Sequence, residues 1–164
     1  MKDLGELKYF LGIKVDRTQQ GIFLSQYKYV LDPLRDFSAL HLKPLKVSMQ
    51  AHQNILKDSG EPLINLEIYQ RLVGKLIYLT LTRPAITYTV HVFSQFMHSP
   101  TMVHYQATNR VLRYLLSSPR QGILLGVDNE AILSTYYDSD WVGCPVIRRF
   151  TTRFCVLLGQ SPIS

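Results

Sequence analysis

Asp138 and Asp140 stand two residues apart in the run YYDSDWVG (Tyr136 to Gly143), the first place in this chain to look for divalent-metal chemistry. Magnesium is a hard cation that takes oxygen donors in a near-octahedral shell, so a catalytic centre needs several carboxylates brought in from separate elements. Two at one strand end are too few, and solvated or turn-forming acids show the same spacing. No two Asp are adjacent anywhere in the chain. His91, His98 and His104 are seven and six residues apart across Pro100, which does not make a two-histidine helical clamp; the spacing predicts helix-surface or helix-end histidines. Ser94 and Ser99 lack the strand–elbow–helix glycine pattern of a hydrolase nucleophile. Gly12, Gly74 and Gly126 do not form a phosphate-binding loop. Cys144 and Cys155 are neither a metal-spaced pair nor a disulfide framework, which suits a reducing compartment.

Charge is the stronger signal. The 164 residues carry 18 Lys and Arg against 12 Asp and Glu, a formal net charge of +6. Between Glu67 and Asp128 there is no acidic residue, while Arg71, Lys75, Arg83, Arg110, Arg113 and Arg120 lie inside that window. The outer segments balance, so the whole excess sits in the middle. An unopposed cationic region attracts polyanions, and nucleic acid is the expected partner. Tyr78, Tyr88, Tyr105 and Tyr114 interleave with these bases; tyrosines at helical spacing serve more often as core or rim than as stacking platforms.

Elements must position these side chains. Residues 7–15 are rich in strand formers, DRTQQG reads as a turn and GIFLS as the returning strand of a hairpin. Ser25 is placed to cap a helix bearing Val30, Leu31, Leu34 and Phe37, although Pro33 inside it removes a hydrogen bond. Residues 41–65 read as a long connection. A helix over Leu66–Leu81 puts Leu72, Val73 and Leu76 on one face and Arg71, Lys75, Tyr78 and Thr82 on another. A second begins at Pro84 and is apolar nearly all round, predicting burial. A third runs from Ser99-Pro100 to Ser117-Ser118, with Ala107, Val111, Leu112 and Leu115 inward and Arg110 and Arg113 on the polar side. Strands follow: GILLGV, a turn at Asp128-Asn129, AILSTYYD, and a last one over Phe150–Leu158. No apolar run reaches the roughly 20 residues needed to cross a bilayer, and the start MKDLGELKYF does not read as a signal peptide.

The runs LVGKLIYLTLTRP (Leu72 to Pro84), SQFMHSP (Ser94 to Pro100) and RVLRYLLSSP (Arg110 to Pro119) make the chain resemble the C-terminal reverse-transcriptase region of copia-type retrotransposon Pol polyproteins, common in plant genomes. MKDLGELKYFLGIKV, GIFLSQYKYVLD and YYDSDWVG match the same family in the same order. The resemblance implies three parts: residues 1–24 as the palm-end hairpin, 25–120 as the helical thumb and its connection, and 121–164 as truncated ribonuclease H-like strands. It implies that Leu11 and Gly12 belong to a primer-grip-like hairpin and that Asp138 matches the first metal-binding carboxylate of ribonuclease H. That enzyme uses about four acidic ligands. The family's Tyr-x-Asp-Asp box is expected upstream of this chain and the later ribonuclease H Glu and Asp beyond Ser164, so Asp138 stands as a vestigial ligand position. Departures from the family pattern include RRFTTRF (Arg148 to Phe154), Pro33 in place of an apolar helix former, and Ala85 in place of Asp.

The sequence thus predicts an α+β chain: an N-terminal β-hairpin, a thumb-like helical bundle, and incomplete ribonuclease H-like antiparallel strands. Arg71, Lys75, Arg110 and Arg113 are the expected phosphate contacts, which position a duplex without reading its sequence. The expected partner is an RNA–DNA or DNA duplex in the parent polyprotein, with no membrane. No cofactor is expected for the chain alone; Mg²⁺ would serve the intact parent enzyme. An intracellular location follows, in cytoplasm or nucleus or in an organelle such as the mitochondrion. The alternatives are a nucleic-acid-binding module retained by a host, and an enzyme completed by a partner that supplies the missing carboxylates.

Overall fold

The computed structural model describes residues 5–49, 60–127, 132–140 and 151–163. Among the described residues, four α-helices and antiparallel strands make the fold α+β. The chain divides into two compact units, residues 27–121 and residues 1–26 with 122–164.

The helical unit holds α1 (Tyr27–Asp36), α2 (Leu66–Leu79), a short 3₁₀ turn (Pro84–Ile86), α3 (Thr87–Ser94) and α4 (Met102–Ser117). Its core is where the apolar stripes meet: Val30 and Leu34 of α1, Leu72, Val73, Leu76 and Leu79 of α2, Val90 and Phe93 of α3, Val111, Leu112 and Leu115 of α4. At roughly 1.5–3 kcal/mol per buried large apolar side chain, these stripes hold the bundle together. Asn65 starts α2 by accepting a bond from the Ile68 N–H. The Tyr69 hydroxyl, buried in the same core, donates to the Phe93 carbonyl at 2.9 Å and so ties α2 to α3; burial pushes that phenol well above its ordinary range.

Several expectations shift. α1 starts at Tyr27, so Ser25 ends a strand instead of capping the helix. Pro33 lies seventh of the ten residues of α1, where it brings no N–H to the Tyr29 carbonyl; its ring is buried, which offsets the loss. The helix expected from Pro84 is shorter and buries one side only, with His91 exposed. Residues 42–49 are not a free connection: Leu45 N–H donates to the Arg113 carbonyl, and the Ser48 and Thr89 hydroxyls lie 3.2 Å apart.

The other unit contains β1 (Tyr9–Phe10), β2 (Ile13–Thr18), β3 (Gly21–Ser25) and β4 (Ile123–Gly126), paired antiparallel in that order. Strands β5 (Leu133–Asp140), β6 (Thr151–Leu158) and β7 (Ser161–Pro162) form a second sheet. β4, which falls within residues 121–164, read as ribonuclease H-like strands, pairs with β3, its Leu124 opposite Phe23. Gly21 permits this close approach, because a Cβ there would stand 2.0 Å from the Leu125 carbonyl oxygen. Residues 7–15 are likewise not one strand. The chain reverses at Leu11-Gly12, where both residues have positive φ, 46° and 76°, as a two-residue turn that follows the strand twist requires. Tyr136, Tyr137 and Phe154 are all exposed on the second sheet. The turn read at Asp128-Asn129, Cys144, the departure at Phe150 and the side chain of Arg153 lie outside the described residues.

Leucine is costly at Leu11. A left-handed backbone crowds its Cβ against the following carbonyl, by about 1–2 kcal/mol. Leu11→Asn is expected to stabilise this unit by about 1 kcal/mol, since Asn-Gly suits such a turn. A thermal melt of the variant that is unchanged or lowered would contradict this.

Candidate nucleic-acid interface

The periodicity of α2 places Arg71, Lys75 and Tyr78 along one side of the helix, at steps of four and three. That side meets α1, whose Tyr29, Asp32 and Asp36 recur at steps of three and four. The Tyr29 and Tyr78 rings touch edge to face, centroids 4.8 Å apart. Lys75 Nζ lies 2.5 Å from Asp36 Oδ2. The Lys75 ammonium, helped by Arg71, holds the Asp36 carboxyl below the ordinary carboxylate range. Burial raises the Tyr29 phenol against the pull of Lys75. Arg71 is exposed, its guanidinium 5.6 Å from the centre of the Phe37 ring, a geometry that orients the charge without neutralising it.

The expectation of an unopposed cationic region is corrected here. The window without acids is a fact of the sequence, but α1 carries one carboxylate, Asp36, from outside it to Lys75 on the flank of α2. Lys75 is ion-paired, not free. Arg83, another base of that window, is buried. It is 2% exposed, its Nη1 donates to the Ser118 carbonyl and its Nη2 to the Pro119 carbonyl, each at 2.7 Å, and Nη1 also reaches Gln121 Oε1 at 3.3 Å. These carbonyls lie just past the end of α4, the negative end of its dipole, and a cation there is favourable. Burial pushes the Arg83 guanidinium below its ordinary value.

Arg110 and Arg113 are both half-buried on α4. Arg113 Nε donates to the Lys43 carbonyl at 2.8 Å, which fixes the side chain while leaving its charge. Arg110 has its Nε buried with no hydrogen-bond partner among the described residues. No described contact joins this pair to Arg71 and Lys75. Arg120, exposed 5.3 Å over the Tyr27 ring, is a further oriented cation that was counted in the sequence but not singled out. Asp36 was missed too. Its signal was the α1 spacing Tyr29–Asp32–Asp36, which marks one helix face.

The other site residues fall in the sheet-containing unit. Leu11 is 71% exposed and Gly12 is exposed beside it, at the tip of the β1–β2 turn. Asp138 stands in β5 opposite Arg153 of β6, and Asp140 opposite Thr151; their side chains lie outside the described residues. Among the described residues no three His, Cys, Asp or Glu come close enough to share a metal ion. His91 and His98 are exposed. His104 sits at a helix end, as its spacing predicts, but is fully buried: it stacks on Phe96 at 4.0 Å, and its Nδ1 accepts the Thr101 N–H at 2.9 Å. Among the described residues no helix is long and apolar enough to cross a membrane.

No protein-family model and no solved structure matches the chain. Curated proteins do. The retrovirus-related Pol polyprotein from transposon RE1 of Arabidopsis thaliana is 42% identical over the whole chain, which spans 11% of that protein. The retrovirus-related Pol polyprotein from transposon TNT 1-94 of Nicotiana tabacum is 30% identical, again over the whole chain, which spans 13% of it. An uncharacterized mitochondrial protein of Arabidopsis thaliana is 38% identical over the whole chain, and here the chain spans 68% of the relative. The chain thus covers only a small part of the polyproteins and most of the shorter relative. With similarity running through both structural units, the chain belongs to the copia-type retrotransposon Pol polyprotein family.

Proposed function

We propose that this chain is the segment of a copia-type Pol polyprotein that grips the template–primer duplex during RNA-directed DNA synthesis. Its identity of 42%, held over every residue, to a Pol polyprotein of which it makes up 11% carries this reading. On it, the Leu11-Gly12 turn belongs to the end of the polymerase palm and steadies the primer end. The helical unit is the thumb, and β5–β6 are early ribonuclease H strands. Arg71, Lys75, Arg110 and Arg113 neutralise phosphates and fix the register of the duplex, while no side chain reads bases. Magnesium would supply the phosphoryl-transfer chemistry in the intact parent, through carboxylates that this segment does not assemble; by itself the segment binds without reacting. Its place in the cell is that of the parent, the cytoplasm or nucleus.

Fluorescence anisotropy with a short RNA–DNA hybrid tests the grip. Removing one phosphate contact, as in Arg71→Gln, should weaken binding alike for unrelated duplex sequences and flatten the plot of log K against log salt by about 0.9. A loss confined to one duplex sequence, or an unchanged slope, would count against it.

The short mitochondrial relative favours a second reading, a nucleic-acid-binding module kept by the host outside any polyprotein. Imaging of the tagged chain distinguishes the two, since this second reading places it in mitochondria.

A further inference from the structure

We infer that Asp36 is an internal stand-in for a nucleic-acid phosphate: it occupies Lys75 in the free protein and is displaced when a duplex binds. The inference rests on the proposed duplex grip and adds a control to it. Asp36 is the last residue of α1, the negative end of that helix dipole, where a carboxylate is unfavourable. Helix stability therefore does not account for an acid at this position. The Lys75 ammonium does, across the α1–α2 boundary at 2.5 Å. Both side chains are part-exposed, 23% for Lys75 and 41% for Asp36, and ion pairs in such settings are weak enough for an outside anion to exchange with. Arg71, one turn earlier on the same side of α2, stays oriented over Phe37, the residue after Asp36. One carboxylate thus faces two cations. A phosphodiester entering the same place would meet the same charge with better hydrogen-bond geometry, because a charged acceptor shared by Arg and Lys is the arrangement that favours phosphate.

The consequence is an affinity held down until the duplex offers enough phosphates to compete. Asp36→Asn removes the competing charge while keeping side-chain size. In the full chain it should tighten binding of an RNA–DNA hybrid by about fivefold, the value of one unit charge at contact distance near water. It should also steepen the log–log salt slope by about 0.9, as one more cation reaches the phosphates. Lys75→Gln should cost more affinity in the Asp36→Asn background than alone, since only there is Lys75 free from the start. Asp36→Ser, measured in parallel with melting curves for both, serves if the Asn variant folds poorly. If wild type binds and Arg71→Gln weakens it, yet both Asp36 variants bind as wild type, the stand-in role is overturned and the grip survives. Failure of wild type and both variants to bind at about 50 mM salt, where phosphate contacts are strong, overturns both.

Discussion

Arg83→Met is expected to lower the unfolding free energy of the helical unit by about 3 kcal/mol, the loss of charge-assisted hydrogen bonds that leaves part-buried acceptors behind. The guanidinium fork is the only geometry that serves the Ser118 and Pro119 carbonyls together from one side chain, both at 2.7 Å. Removing it strips the end of α4 of the donors that satisfy carbonyls with no helical partner. The charge itself is tolerated in this buried place because the dipole of α4 ends there. Arg83→Lys keeps the charge but offers a point donor on a thinner stem, so it should recover no more than about half the loss. Arg120→Met is the control. That arginine is exposed over Tyr27, and its removal should change stability by less than about 0.5 kcal/mol. Guanidinium-chloride unfolding gives all three values; a loss below about 1 kcal/mol for Arg83→Met would show that the carbonyls find other donors.

His104→Ala should cost a similar amount, about 3 kcal/mol, by combining two losses. The ring fills a fully buried site against Phe96, so truncation leaves a cavity between α4 and the residues after α3. It also breaks a capping box. Thr101 Oγ1 accepts the His104 N–H while His104 Nδ1 accepts the Thr101 N–H, the reciprocal pairing usually made by Glu or Gln at the third helical position. His104→Gln can restore that acceptor but not the stacked ring, so it should recover part of the loss. Equal destabilisation by Ala and Gln would assign the whole effect to packing.

His104 also shows where the sequence was legible and where it was not. Spacing alone put it at a helix end and kept it out of a metal site, because both conclusions depend on local periodicity. Its burial depends on Phe96 folding back from beyond α3, which no local pattern reveals. The same division runs through the molecule. The apolar stripe Leu72–Val73–Leu76 and the inward side of α4 were readable, since a 3.6-residue repeat needs only its own helix. The pairing of β4 with β3 was not: it joins residues about a hundred positions apart, and GILLGV followed by AILSTYYD looks locally like a hairpin. Charge was half legible. The acid-free stretch from Ile68 to Val127 is real, yet electrostatics acts through space, and α1 returns Asp36 to Lys75.

On the proposed function, this family segment holds a duplex electrostatically and by itself neither cuts nor extends it. One measurement addresses both halves: incubate the purified chain with a labelled RNA–DNA hybrid and Mg²⁺ over a salt series, recording binding by anisotropy and strand integrity on a denaturing gel. The expected result is binding whose log–log salt slope is about −3 for three to four phosphate contacts, with both strands neither shortened nor extended. Binding indifferent to salt, no binding at low salt, or strands cut or lengthened by the chain alone would contradict it.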